Sequence, residues 1–118
     1  MKYILNNGVE IPEIGLGTYR VSSKDAEKSV SEALKVGYRL IDTANIYLNE
    51  RAVGRAIKAS GIDRKEIFVS SKIITAEFNN EHIIDDMLER LDLDYIDLVF
   101  IHHPVGNYLK AYKTLEKA

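Results

Sequence analysis

Three stretches decide how this chain folds: Tyr38-Arg39-Leu40-Ile41-Asp42-Thr43-Ala44, Glu66-Ile67-Phe68-Val69-Ser70-Ser71-Lys72-Ile73, and Tyr95-Ile96-Asp97-Leu98-Val99-Phe100-Ile101-His102. Each is a short apolar run with strand character that leads to an ionisable side chain. Those side chains, Asp42, Lys72 and His102, fall at equal intervals of 30 residues, from 42 to 72 and from 72 to 102. The segments between them carry a different period. After Asn49 as cap, Ala52, Val53, Ala56 and Ile57 form one stripe of a helix that Gly61 stops. After Asn79 or Asn80 as cap, Ile83, Ile84, Met87, Leu88 and Leu91 form the next.

The same unit extends outward in both directions. Upstream, Ile14-Gly15-Leu16-Gly17-Thr18 predicts a strand. Ser23, with Asp25 and Glu27, predicts the cap and acidic first turn of a helix with Ala26, Val30, Ala33 and Leu34 inward and Gly37 as its stop. Downstream, Pro104 breaks the chain before a last helix with Leu109, Tyr112 and Leu115 on one side. At the start, Tyr3-Ile4-Leu5 and Val9-Glu10-Ile11 flank Asn6-Asn7-Gly8, which predicts a β-hairpin over residues 1–12. The reading is an α/β chain, a hairpin and then four βα units from about residue 14 to 118 with parallel strands. A small doubly wound sheet is the plainer arrangement. Ionisable groups at the carboxyl ends of successive parallel strands are where barrels and open sheets alike build active sites, so the repeat predicts a site as well as a fold.

Composition narrows the function. With 46% hydrophobic and 29% charged residues, the 118-residue chain reads as an ordinary globular protein. Its 18 acidic and 16 basic residues leave a formal charge of -2 with no basic stripe, which argues against nucleic acid. No cysteine is present, no signal peptide opens the chain and no run is long enough to span a bilayer, so a soluble, cytoplasmic protein that does not engage membrane is expected.

Several patterns invite chemistry that their details reject. Gly15-Leu16-Gly17-Thr18-Tyr19-Arg20 lacks the third small residue of a dinucleotide fingerprint, yet its glycines leave room for a flat ligand beside Thr18 and Tyr19. His102 and His103 on an extended strand point to opposite faces, which, with no cysteine, leaves metal binding unexpected. Asp42 and Lys72 taken singly read as an ion pair at a sheet rim. Together with Tyr47, five residues beyond Asp42, they read differently, because a lysine beside a tyrosine stabilises phenolate and makes the phenol a competent proton donor.

In their order and separation these residues resemble the aldo-keto reductases. Gly15 to Arg20 resembles the family's opening. Asp42-Thr43-Ala44-Asn45-Ile46-Tyr47, with Asn49-Glu50, matches its DTAxxY segment. Phe68 to Lys72 and Ile101-His102 with Pro104 resemble its lysine and histidine strands. The resemblance implies a TIM (β/α)8 barrel of which these residues form the N-terminal half, a single partial domain over 1–118. It also implies NADPH, or NADH, reducing a small-molecule carbonyl compound, with no metal. Tyr47 is then the proton donor, tuned by Lys72 and Asp42, with His102 orienting the carbonyl. Gly17, Thr18 and Asp42 lie by the nicotinamide ribose, and Tyr19, Ile74 and His103 line the substrate pocket. Leu48 stands where the family often has glycine, and Ile74 and His103 where aromatic residues are frequent. The family's phosphate-gripping segment falls in the other half, so the isolated chain is expected to be weak or inactive. The competing expectation is a non-catalytic half-barrel that self-associates, or pairs with another half, through open edges.

Overall fold

The computed structural model describes residues 2–118; Met1, the first residue of the expected hairpin, lies outside them. Strands β1 (Lys2–Ile4) and β2 (Glu10–Pro12) pair antiparallel, with Tyr3 opposite Ile11 and Gly8 at φ 84° in the turn. The remaining strands, β3 (Leu16–Gly17), β4 (Leu40–Asp42), β5 (Phe68–Ile73) and β6 (Leu98–Ile101), form one parallel sheet in chain order. Helices α1 (Ser23–Lys35), α2 (Glu50–Ala59), α3 (Ile83–Leu91) and α4 (Tyr108–Lys117) alternate with them. The four expected βα units are therefore present. No helix among the described residues is long and apolar enough to cross a membrane.

The core lies between the sheet and the helices, because outward strand residues meet the helix stripes. Ile41 and Val69 pack with Val30 and Leu34 of α1 and with Val53, Ala56 and Ile57 of α2. Ile73 packs with Phe78, Ile83, Met87 and Ala111 in a second cluster, with Val99 and Ile101 against it. Strand alternation then turns Asp42, Ser70 and Lys72 to the opposite, inner face. In register, Gly17 lies beside Asp42, Asp42 beside Ser70, and Lys72 beside Phe100.

Three local expectations change. The cap of α1 is Ser22, whose hydroxyl accepts from the Asp25 amide, while Ser23 begins the helix and donates to the Leu48 carbonyl. At α3 the N-cap position is His82. Asn80 lies ahead of it, accepting from the His82 amide and donating to the Glu77 and Asp86 carboxylates, so it braces the entry turn. Helix α4 buries Ala111 and packs Leu115, and leaves Leu109 and Tyr112 exposed. Both choices fit a helical period; the short Ala111 side chain is the one beside which the helix approaches its neighbours.

One glycine outside the expected stops controls how two helices meet. At Gly54 a Cβ would collide with the Leu91 carbonyl oxygen, so α2 approaches the end of α3 more closely than any side chain permits. Alanine there gains about 1 kcal/mol of helix propensity but forces the helices apart. Gly54→Ala should lower stability by about 2 kcal/mol or more in urea denaturation, the opposite sign to its effect on an isolated helix.

Candidate active site

The parallel register gathers the polar residues at one rim. The Lys72 ammonium donates to Asp42 Oδ2 at 2.6 Å and to the Thr43 carbonyl at 2.9 Å, and the Ser70 hydroxyl donates to Asp42 Oδ1 at 2.7 Å. Both Asp42 oxygens are thus engaged, and the pair is partly withdrawn from water, with side-chain exposures of 17% for Lys72 and 34% for Asp42. Charge-assisted bonds of this kind fix side chains more firmly than neutral ones do. Ser70 is the contributor that the sequence concealed. It lies two residues before Lys72, hence on the same face of the strand, which is the signal that could have exposed it.

Tyr47 arrives from a single 3-10 turn, Asn45–Tyr47, directly beyond β4. Its ring lies 5.2 Å from the Lys72 nitrogen, 6.1 Å from the His102 ring in an edge-on arrangement, and 5.3 Å from the Tyr19 ring. Asp42, Tyr47, Lys72 and His102 therefore converge. His103 does not diverge from His102 as an extended strand requires. β6 ends at Ile101, the chain bends, and the two imidazoles stack at 4.7 Å. Ile74, half-buried, directly follows β5. Among the described residues no group of three or more His, Asp or Glu side chains could hold a metal ion.

Two residues near the site hold unfavourable backbone conformations. Arg20 and Leu48 both have φ 58°, the left-handed region, which costs a residue with a side chain about 1–2 kcal/mol. At Leu48, where the resemblance led glycine to be expected, the backbone holds a conformation that glycine adopts without a steric cost. Asn49, expected to cap α2, makes no side-chain capping bond. It is 1% exposed and its amide is spent on Thr18, Val21 and Thr43. Thr18 is equally buried, its hydroxyl near Thr43 and the Asp42 carbonyl, while Gly17 leaves open space where a Cβ would stand.

The model for the Aldo/keto reductase family matches residues 13–118. This chain belongs to the aldo/keto reductase family. Similar proteins include the glycerol 2-dehydrogenase (NADP(+)) of Saccharomyces cerevisiae, 54% identical over 85% of this chain and 32% of its own length. Another is the glyoxal reductase of Bacillus subtilis, 46% identical over 96% of the chain and 43% of its own length. The crystal structure of an aldo/keto reductase from Brucella melitensis superposes with a TM-score of 0.95 at 39% identity, over 99% of this chain and 47% of that one. The chain thus spans less than half of these relatives, and its four-stranded sheet is part of their TIM barrel.

His102 carries a titration consequence. Desolvation at the strand end holds its pKa below the usual 6.5; the neighbouring His103 and Lys72 charges push the same way and Asp42 opposes them. The unfolded chain takes up a proton near 6.5 that the folded chain resists, so this residue's contribution to stability is full above that pH. It is lost as pH falls through the depressed native value. Taking the pH from about 7.5 to about 5.5 should therefore lower the urea midpoint of the wild type more than that of His102→Gln.

Proposed function

We propose that this chain carries the catalytic rim of an NADPH-dependent carbonyl reductase, with Tyr47 protonating the oxygen of an aldehyde or ketone as it becomes an alcohol. The observation that most supports the reading is the Lys72 ammonium beside the Tyr47 ring, itself held by Asp42 and the Thr43 carbonyl. As the phenol gives up its proton, negative charge gathers on its oxygen, and a fixed cation nearby lowers the cost of that charge. Asp42 keeps Lys72 in place, and Ser70 keeps Asp42 in place. His102, neutral at neutral pH, serves to hydrogen-bond the carbonyl oxygen and orient it toward Tyr47.

The residues fit one end of a nicotinamide nucleotide. Gly17 leaves open space at the strand end, next to Asp42 in register. Gly17, Thr18 and Asp42 would border the ribose, Gly17 and Asp42 facing it directly, while Thr18, whose amide, carbonyl and hydroxyl are all engaged inside the protein, would support the strand end behind them. Bound there, the nucleotide supplies the hydride. NADPH is proposed over NADH, in keeping with the cofactor in the yeast relative's name. Tyr19, Ile74 and His103 would face the substrate. Tyr47→Phe should reduce turnover by about 10²–10⁴-fold without changing the melting temperature. The measurement is NADPH oxidation over a panel of aldehydes, for the chain and for a chimera that adds the remaining strands of the Bacillus subtilis relative. Undiminished turnover in the chimera would remove Tyr47 from the mechanism.

A second reading rests on the sheet edges. β3 and β6 each have a partner strand on one side only, and Phe100 on the inner face is 47% exposed. Two copies joined at these edges would satisfy both. Light scattering should then give twice the chain mass, and a monomer that binds no apolar dye would remove this reading.

A further inference from the structure

We propose that Asn49 is a positioning residue that holds the loop carrying Tyr19 against the loop carrying Tyr47, and so sets the shape of the pocket wall beside the proton donor. The catalytic meaning of this inference rests on the carbonyl-reductase reading above; the contact itself does not.

Asn49 uses both ends of its amide across the two loops. Its Nδ2 donates to the Thr18 carbonyl at 2.9 Å and to the Val21 carbonyl at 3.1 Å, the two ends of the turn that presents Tyr19 and Arg20. The turn is closed on itself by the Val21 amide donating to the same Thr18 carbonyl. On its other side, Asn49 Oδ1 accepts from the Thr43 hydroxyl at 3.0 Å, with the Thr18 hydroxyl at 3.4 Å. Thr43 follows Asp42 directly, and its carbonyl is the one that Lys72 grips. One buried side chain therefore links the Tyr19 turn to the backbone between the acid-tuning carboxylate and Tyr47. With donors and acceptor all satisfied, it has a single favourable orientation.

The strained residues lie where such a clamp is needed. Arg20 sits between the two carbonyls that Asn49 grips, and Leu48 directly precedes Asn49; both are left-handed without being glycine. Conformations of that kind persist only where surrounding contacts over-determine them. The Tyr19 and Tyr47 rings meet 5.3 Å apart at the outlet of these two loops, and Tyr19 is itself 62% exposed, so beyond the backbone bonds of its turn the clamp is the side-chain contact that fixes its place. The sequence alone suggested a different use for Asn49, as a helix cap, and the side chain makes no such bond.

Two substitutions separate positioning from simple stability. Asn49→Asp keeps the acceptor for Thr43 and loses both donors to the Tyr19 turn. Thr43→Val removes one hydroxyl and keeps the rest. In the 118-residue chain, Asn49→Asp should abolish the cross-ring nuclear Overhauser contact between Tyr19 and Tyr47. It should also speed tryptic cleavage after Arg20 about tenfold relative to cleavage after Lys65, as expected when two hydrogen bonds, one of them buried, no longer hold a turn closed. Thr43→Val should shift both readouts the same way by a smaller factor, which keeps the test decisive if Asn49→Asp does not fold. In the chimeric enzyme, Asn49→Asp should change the ratio of kcat/KM for an aromatic over a small aliphatic aldehyde by about tenfold. An intact ring contact with unchanged cleavage in a folded variant overturns the clamp. A lost contact with unaltered aldehyde preference overturns its role in shaping the pocket wall. A wild-type chimera without carbonyl turnover would sink the reductase reading instead, and the ring contact and cleavage would still decide the clamp.

Discussion

An ammonium and a carboxylate 2.6 Å apart at the rim of a sheet, each partly out of water, hold this structure's polar end together. Such a pair is favourable only where its remaining valences are met, because desolvation otherwise outweighs the attraction. Here the Ser70 hydroxyl donates to the second oxygen of Asp42 and the Thr43 carbonyl accepts a further hydrogen bond from Lys72. All of this follows from one geometric constraint. Parallel pairing that sets Asp42 opposite Ser70 puts Lys72 one pleat further along the same face. A slip of one residue would turn the lysine into the helix-packed core, where Ile41, Val69 and Ile73 now sit.

The loops above that rim work on a different principle. Strands position Asp42, Lys72 and His102 through ladder bonds, such as the His102 amide donating to the Ile73 carbonyl. Tyr47 and Tyr19 lie beyond the ladder, in turns closed by single backbone bonds, and depend on side chains for their placement against each other. Thr18, Thr43 and Asn49, all essentially buried, form a small polar network that substitutes for regular secondary structure. Polar groups buried this way are costly unless satisfied, and once satisfied they specify one arrangement. The left-handed Arg20 and Leu48 are the cost of that arrangement.

Glu50, beside the site, is satisfied on one side only: its Oε1 is bonded and its buried Oε2 has no partner. It is 3% exposed at the start of α2, where it accepts from Arg90 of α3 at 2.6 Å. Burial raises its pKa, against the lowering influence of Arg90 and Arg51. Together with the close approach at Gly54, this contact ties the helix that follows the Tyr47 loop to the next βα unit.

Most of the fold was legible in the sequence because periodicity is a local property. The stripes Ala26, Val30, Ala33, Leu34 and Ala52, Val53, Ala56, Ile57 are the buried faces of α1 and α2, and the 30-residue interval put Asp42, Lys72 and His102 on one face at the same end of the sheet, each one pleat further along than the last. What stayed hidden was decided between distant segments. Leu109 and Tyr112 against Ala111, Asn49 as clamp against cap, and the stacking of His103 on His102 each turn on a neighbour that lies far along the chain or on a bend that ends a strand early. The sequence by itself determined strand and helix identity, the family and the four polar residues, since these rest on residue type and spacing. Only the tertiary structure decided which hydroxyls and amides hold those residues in place, because a hydrogen bond depends on an approach of a few ångströms that spacing along the chain does not encode.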